Sequence, residues 1–373
     1  MRIVADQNIR AAEATFGAHA RLRRMDGRAI RKEHLLDADA LLVRTATRVD
    51  ATLLDGTPVG FVGTTSIGTD HLDLDWLAQQ GITWANAPGC NADSAAQYTL
   101  AMAWLACDRL GLDLRGLSAG IVGCGNVGSR VRALFRVLGM QVAACDPPLA
   151  DAGMSGLVSL DEALEQDVVS LHVPLTREGP YPTHRFIGRA ELDRMQTGAV
   201  LINTARGDVI DGQALRAALQ SERLHAALDV WPGEPEIDVA LLEAVTVATP
   251  HVAGYSDDGK RRGTLMVYAA FCAWAGVAPV APPAAPDEPP VLRIAAGEAV
   301  LSRALDAACF VRRHDSAMRA MADLAPASRV REFDRLRRDY PHRRDFQAWR
   351  IACPDLESAR LCHNLGFTKT AAA

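Results

Sequence analysis

Three side chains in this 373-residue sequence have the types and settings to move a proton beside a bound anion. His251 stands in "TPHVAGYS", after the apolar run Val245 to Ala248. Glu234 stands in "LDVWPGEPE" and Arg206 in "INTARGDVID", each just beyond another short apolar run. An imidazole takes or gives a proton near neutral pH, and a carboxylate beside it orients the ring and raises its pKa. A guanidinium can pair with a carboxylate through two parallel hydrogen bonds. Taken singly, each residue has a plainer use. His251 could bond a nearby carbonyl at a strand end, Glu234 could be a solvated loop acid, and Arg206 could cap a helix or pair with Asp208.

A fourth stretch changes that reading. In "GIVGCGNVGSRVRALFRVLGMQVAACD", Gly123, Gly125 and Gly128 fit G-x-G-x-x-G, with Asn126 and Val127 inside the loop. An apolar run precedes the glycines. A helix pattern follows, with Val127, Val131, Leu134, Phe135 and Leu138 on one face. Gly123 permits the tight turn, Gly125 the approach of a pyrophosphate, and Gly128 close helix–strand packing. The helix N-terminus offers free N–H groups to phosphates. Asp146, 18 positions after Gly128, ends the next strand, where a carboxylate accepts both ribose hydroxyls. Pro147 and Pro148 follow, with no arginine for a 2′-phosphate, so NAD is favoured over NADP. A nicotinamide cofactor implies hydride transfer, which calls for a proton acceptor and, for an acid substrate, a cation. His251 and Arg206 supply them. In an open parallel sheet, ligands gather at the carboxyl ends of strands, so these sites are candidates to converge.

The elements that must position these residues alternate over the first 280 positions. Short apolar runs and helix-like segments follow one another, which implies parallel sheets covered by helices on both faces. Two blocks emerge. The first has the strand candidates "RIVAD", "ALLVR", "GFVGT" and "ITWAN". The second has "AGIVG", "QVAAC", "VVSLHV", "AVLINTA", "HAALDV" and "VTVAT". Ser94 is read as the cap of a long helix, "AAQYTLAMAWLAC", that joins the blocks. The segment after Tyr255 is helical again and returns to the first block. Leu265 to Pro286 carries no charge, but its second half holds Gly276, Pro279, Pro282, Pro283 and Pro286, so it reads as a buried helix running into a proline-rich linker. Beyond the linker the alternation weakens. "RVREFDRLRRDYPHRRDF" reads as a salt-laced helical face, "FQAWRIAC" as a strand and "DLESARLCHNLGF" as a helix ended by Gly366. The expected division is 1–93 with 256–285, then 94–255, then 286–373.

Composition sets limits. Hydrophobic residues make up 49% of the chain and charged residues 23%, as in ordinary globular proteins. A net charge of -5 gives no global attraction to nucleic acid or anionic membrane. The eight cysteines are scattered without C-x-x-C, which suggests reduced thiols in a cytoplasm and no metal centre. The start, "MRIVADQN", reads directly as a strand and not as a secretion signal.

On "GCGNVG", "NTARGDVID", "DVWPGEP" and "PHVAGYS", residues 1–280 resemble the D-isomer-specific 2-hydroxyacid dehydrogenases. "VRTATRV", "FVGTTSIGTDHLD", "NAPGCNADSAAQY", "CDPP", "HVPLTREGPYPTH" and "GYSDDGKRRGT" narrow the resemblance to the branch acting on 4-phospho-D-erythronate in vitamin B6 synthesis. The C-terminal extension resembles that branch's dimerisation domain more loosely, through "FQAWRI" and "LGF". The resemblance implies an α/β chain of two doubly wound parallel-sheet domains, a flavodoxin-like substrate domain and a Rossmann NAD domain. A small C-terminal α+β dimerisation domain completes it, and the implied oligomer is a homodimer. It implies His251 as the acid/base, Glu234 as its partner and Arg206 as the holder of the C1 carboxylate. Cofactor contacts fall on the glycine loop, Asp146, Val173, Thr204, Ala205, Arg206, Asp229 and Gly254. Substrate contacts fall on Arg44, Thr45, Ser66, Arg206 and Tyr255. Thr45 and Ser66 keep a hydroxyl where the branch more often has serine and threonine. Val173 stands where a threonine can touch the cofactor, so that contact is lost or made by backbone. Arg44, Lys260, Arg261 and Arg262 are all open as cations for a distal phosphate. Two alternatives stay open: another 2-hydroxyacid dehydrogenase, such as phosphoglycerate dehydrogenase, and a non-catalytic NAD-sensing binding protein.

Overall fold

A computed structural model of the chain describes residues 1–281 and 288–369. The chain falls into two compact units, Met1–Asn91 with Ser256–Glu288, and Ala92–Tyr255 with Pro289–Ala373. The expected linker prolines Pro282, Pro283 and Pro286 lie outside the described residues.

The first unit is built on strands β1 (Arg2–Asp6), β2 (Arg21–Met25), β3 (Ala40–Val43), β4 (Phe61–Thr64) and β5 (Thr83–Ala85). All pairings are parallel, in the order β2-β1-β3-β4-β5. This 2-1-3-4-5 order is the flavodoxin-like form of the doubly wound sheet. Side-chain alternation divides the core. Ile3, Ala5, Leu42 and Phe61 pack on one face, and Val4, Leu41, Val43 and Val62 on the other. β2 escaped the sequence reading because "RLRRM" carries three arginines. It is an edge strand whose residues are exposed or half-buried, so it lacks an apolar signature. The helix Asp257–Ala275 returns to this unit, burying Val267 and Phe271 against the sheet. The Ser256 side chain caps it by accepting the Gly259 N–H, and Gly276 ends it at φ 66°.

The second unit contains β6 (Ser118–Val122), β7 (Gln141–Cys145), β8 (Val168–Leu171), β9 (Val200–Asn203), β10 (His225–Leu228) and β11 (Val247–Ala248). They form a parallel sheet ordered β11-β10-β9-β8-β6-β7. The Val158 N–H donates to the Ala144 carbonyl, which extends the β7 edge by one bond. The helices Ala92–Arg109 and Gly128–Val137 cover one face. The opposite face is covered by shorter helices, including Gly212–Gln220 and Val239–Ala244. Ser94 is not the cap of the first of these. The helix begins two residues earlier, and the buried Ser94 hydroxyl donates to Asp345 at 2.8 Å.

The C-terminal residues pack with this second unit. They add the helices Val300–Cys309, Val311–Arg319, Pro326–Arg338 and Leu356–Asn364, and a parallel sheet of β12 (Val291–Arg293), β13 (Arg350–Ala352) and β14 (Thr368–Lys369) in that order. "FQAWRIAC" splits into a 3-10 turn over Phe346–Ala348 followed by β13. Leu301, Leu305, Met318 and Met321 are buried within the chain itself. The first two join the core over helix Ala92–Arg109, and the methionines join the core of the opposite face.

Candidate active site

The glycine loop joins β6 to the helix Gly128–Val137. Gly123 has φ 91°, outside the range of most side chains, and its N–H is tied to the Cys145 carbonyl at 2.8 Å. A Cβ on Gly128 would lie 1.8 Å from the Gly123 carbonyl oxygen, whereas one on Gly125 would meet nothing within 4 Å. Two glycines thus allow close packing and the middle one borders open space. Asp146 is aimed at this turn. One carboxylate oxygen accepts the Cys124 N–H at 2.7 Å and the other the Leu149 N–H at 3.1 Å. Asn126 is exposed, and Val127 and Val173 are half-buried. A backbone turn open at Gly125, a helix N-terminus and an oriented carboxylate fit a dinucleotide. Among the described residues no group of three or more His, Cys, Asp or Glu could hold a metal ion.

The Arg206 loop is shaped by Asn203, which ends β9 fully buried. Its carboxamide accepts the Ala205 N–H at 3.0 Å and donates to the Arg206 carbonyl at 2.9 Å. The Thr204 hydroxyl lies 2.9 Å from that of Thr99. Arg206 is half-buried in extended backbone, and its Nη1 donates to the Ala205 carbonyl at 2.8 Å. It therefore bonds within its own loop and not to the histidine pair.

His251 and Glu234 are in direct contact, His251 Nδ1 with Glu234 Oε1. The other carboxylate oxygen accepts the Trp231 N–H at 3.0 Å. Burial pushes the Glu234 carboxyl up. The bond and charge of His251, the Trp231 amide and the charge of Arg337 outweigh it and hold the carboxyl below its usual range. Asp229, expected at the cofactor, is fully buried beneath the histidine loop. Its Oδ1 accepts the Thr249 hydroxyl at 2.6 Å and the Val252 N–H at 2.9 Å, and its Oδ2 accepts the Ala253 N–H at 2.9 Å. Its backbone carbonyl accepts the His251 N–H at 2.6 Å. The Trp231 indole donates to the Thr249 carbonyl at 2.9 Å. His251 sits at φ 55°, in the left-handed region, so these bonds hold it where an unsupported histidine would rarely stay. Gly254 and Tyr255, next in the loop, are half-buried.

The remaining expected residues belong to the first unit. Arg44, just past β3, donates from Nε to Asp6 at 3.1 Å, and Thr45 beside it is exposed. Ser66, just past β4, is half-buried, with its hydroxyl 2.7 Å from that of Thr64. Among the other basic candidates, Arg262 Nε donates to the Cys90 carbonyl at 2.8 Å. Sequence reasoning missed Asn203, Arg337 and Arg343. Asn203 was legible only as part of the "NTARG" string, and nothing local marks the two arginines among their many basic neighbours.

Residues 90–253 match the family described as "D-isomer specific 2-hydroxyacid dehydrogenase, NAD binding domain", and residues 292–366 match a domain of unknown function, DUF3410. The chain is 46% identical over 359 residues to an erythronate-4-phosphate dehydrogenase of Azotobacter vinelandii, covering 94% of each. It is 40% identical over 375 residues to that of Salmonella arizonae, covering 98% of each. Among solved structures, D-lactate dehydrogenase from Aquifex aeolicus, complexed with NAD and lactic acid, is 27% identical with a TM-score of 0.62, over 74% of this chain and 95% of that one. NAD-bound 3-phosphoglycerate dehydrogenase of Entamoeba histolytica, at 24% identity and a TM-score of 0.64 over 74% of this chain and 95% of that one, shares the fold. With relatives matched along nearly the whole of both chains, and the dinucleotide turn and histidine–glutamate pair in place, the chain belongs to the erythronate-4-phosphate dehydrogenases, NAD-dependent enzymes of the D-isomer-specific 2-hydroxyacid dehydrogenase family.

Proposed function

We propose that the protein oxidises 4-phospho-D-erythronate at C2 to 2-oxo-3-hydroxy-4-phosphobutanoate with NAD, a step of pyridoxal 5′-phosphate synthesis. One observation carries the choice of substrate. The likeness to erythronate-4-phosphate dehydrogenases covers 94% of this chain, whereas the lactate and phosphoglycerate enzymes match 74% of it.

With Nδ1 engaged by Glu234, the His251 ring presents Nε2 as its free base. Nε2 takes the C2 hydroxyl proton as the C2 hydrogen departs with its electron pair. Bound NAD supplies the acceptor for that hydride. The ionised Glu234 stabilises the imidazolium that results, and a base so placed contributes about 10²–10⁴ in rate. Arg206 holds the C1 carboxylate, which fixes the face that C2 presents. For the cofactor, Gly123, Gly125, Asn126, Val127 and Gly128 form the pyrophosphate turn and Asp146 takes the ribose hydroxyls. Thr204, Ala205, Arg206 and Gly254 line the nicotinamide end. Val173, which has no hydroxyl, contributes apolar contact or backbone, and Asp229 serves through the loop it supports. Arg44, Thr45, Ser66 and Tyr255 are the proposed substrate contacts.

The same reading places the protein in the cytoplasm, supported by eight cysteines without a disulfide. Among the described residues no helix is long and apolar enough to cross a membrane. We also infer a homodimer through residues 286–373. The support is the family resemblance together with the exposed apolar side chains Val291 and Leu356. Leu301, Leu305, Met318 and Met321 lend no support, because the chain buries them itself.

The decisive experiment follows NADH formation with 4-phospho-D-erythronate, 3-phosphoglycerate and D-lactate. Turnover at least tenfold higher in kcat/KM with the first is expected. A preference for either of the others selects a sister activity, and NAD binding without turnover on any of them selects a sensor.

A further inference from the structure

The stretch "RVREFDRLRRDYPHRRDF" supplies no side chain to the proposed chemistry, yet its end reaches the loop that carries His251. Residues 343–347 are laid along the start of the helix Ala92–Arg109, within one compact unit. Asp345 accepts the Ser94 hydroxyl at 2.8 Å. The Gln97 carboxamide oxygen accepts the Phe346 N–H at 2.9 Å, and its Nε2 donates to Gln347 Oε1 at 3.1 Å. Phe346 is fully buried and stacks on Phe367, the ring centres 4.2 Å apart. The segment so anchored carries Arg343, which is 2% exposed. Its Nη2 donates to the Ala253 carbonyl at 2.6 Å and the Ser94 carbonyl at 3.1 Å, and its guanidinium lies 4.9 Å from the centre of the Tyr98 ring. Its Nη1 is buried with no hydrogen-bond partner.

Burying a guanidinium with one nitrogen unsatisfied is costly. An apolar side chain of the same length would fill the core as well. What only a donor can do here is bond the two carbonyls, and one of them belongs to the acid–base loop. That loop needs fixing, because His251 holds φ 55°. Asp229 fixes it from the N–H side, through the Val252 and Ala253 amides, and the Tyr255 N–H closes the turn on the Val252 carbonyl at 2.8 Å. Arg343 takes the Ala253 carbonyl, so this residue is gripped on both sides. We propose that Arg343 is a positioning residue for the oxidation. It ties the His251 loop to the start of the helix Ala92–Arg109, so that the imidazole keeps its contact with Glu234 and Nε2 keeps the place from which it takes the proton. A displacement of about 1 Å costs about 10²-fold in rate, so a loosened turn is felt in kcat. The glycine turn and Asp146, which hold most of the cofactor, are left as they are. The inference rests on the proposed oxidation for its kinetic arm and on the loop geometry alone for its exchange arm.

The test compares the full chain with Arg343→Met, Arg343→Lys and Leu305→Val. Leu305→Val opens a small cavity in the same C-terminal region without touching the loop, and controls for general destabilisation. Both Arg343 bonds come from one nitrogen, and a lysine ammonium carries three donors on one nitrogen, so Arg343→Lys can keep them. Amide hydrogen exchange is followed by mass spectrometry, beside kcat and NAD affinity. In Arg343→Met, exchange over residues 249–256 should quicken at least tenfold while β6 and β10 stay within threefold of the unmodified protein. Its kcat should fall at least tenfold, with NAD affinity within threefold. Arg343→Lys should keep more than a third of the unmodified kcat, and Leu305→Val should leave kcat and the loop's exchange within threefold. Exchange that quickens equally in loop and strands, or an Arg343→Met chain that neither melts cooperatively nor binds NAD, assigns Arg343 to general stability and overturns the proposal. So does a kcat within threefold in Arg343→Met, an equal loss in Arg343→Lys, or a Leu305→Val that matches Arg343→Met in both readouts. Kinetics use whichever of 4-phospho-D-erythronate, 3-phosphoglycerate and D-lactate the unmodified protein turns over. Turnover of one of the last two alone removes the proposed substrate and leaves the role of Arg343 standing. No turnover of any removes the oxidation, whereas selective loosening of residues 249–256 still identifies Arg343 as the residue that orders the loop.

Discussion

His251 occupies backbone that costs a non-glycine residue about 1–2 kcal/mol, and the surrounding bonds must offset it. Asp229 supplies most of them. Because asparagine also tolerates left-handed backbone, His251→Asn should leave the loop intact. We expect NAD affinity within a few-fold of the unmodified protein and kcat lower by about 10²–10⁴, measured by fluorescence titration and NADH production. Turnover within a few-fold would return His251 to a structural role. Glu234 gives a pH signature. Its carboxyl is held below the ordinary value of 4.5 in the folded chain, so its contribution to stability is fully present above that value and is lost as pH falls through the lowered one. The gap in denaturation midpoint between the unmodified protein and Glu234→Gln should be widest near neutral pH and shrink below about pH 4.5. A gap that widens on acidification would mean that the pair does not stabilise the ionised form.

At the scale of elements, the strand–turn–helix of β6 and the helix Gly128–Val137 separates folding from binding within six residues. A methyl on Gly128 meets the Gly123 carbonyl oxygen at 1.8 Å, whereas a methyl on Gly125 enters open space. Gly128→Ala should lower the melting temperature by several degrees, because backbone must shift to admit it. Gly125→Ala should melt with the unmodified protein yet bind NAD at least tenfold more weakly. Equal effects of the two on melting would refute this division of labour. The turn was legible in the sequence because only glycine fits at Gly123 and Gly128. β6 was legible because its apolar run is buried on both faces, and β7, a half-buried edge strand, because it is apolar from Val142 to Cys145. β2 was not, since an arginine-rich edge strand needs its pairing partner to be recognised. The short β12 and β14 likewise exist only through β13. Asp229 shows the same limit at the site. Its place at a strand end was readable, but its three bonds to the histidine loop depend on how residues 20 and more positions away fold back. The approach of Arg343 to Ala253, across 90 positions, has no local signature at all.

For the molecule as a whole, the question is what residues 290–369 do for the unit they join. Leu301, Leu305, Met318, Met321 and Phe333 are buried against the second unit, and each such burial is worth about 1.5–3 kcal/mol. Their sum, roughly 10 kcal/mol, is comparable to the net stability of a whole domain. Polar ties add to it. The Ala248 N–H at the end of β11 donates to Asp315 at 2.8 Å, and Arg109 pairs with the same carboxylate at 2.6 Å. A chain truncated after Pro286 should therefore aggregate and fail to bind NAD, instead of yielding a tidy monomer. A soluble truncated chain with cooperative unfolding and intact NAD binding would show that the segment is dispensable to the core. Oligomerisation must be probed separately, on side chains the core does not use. Val291 and Leu356 are 52% and 77% exposed, so replacing both with aspartate leaves the unit's interior untouched. Sedimentation of the full chain should give a dimer, and the double variant a folded, NAD-binding monomer, because two buried carboxylates cannot be tolerated at an apolar interface. A double variant that still sediments as a dimer would place the interface elsewhere and leave the C-terminal region with its role in the core alone.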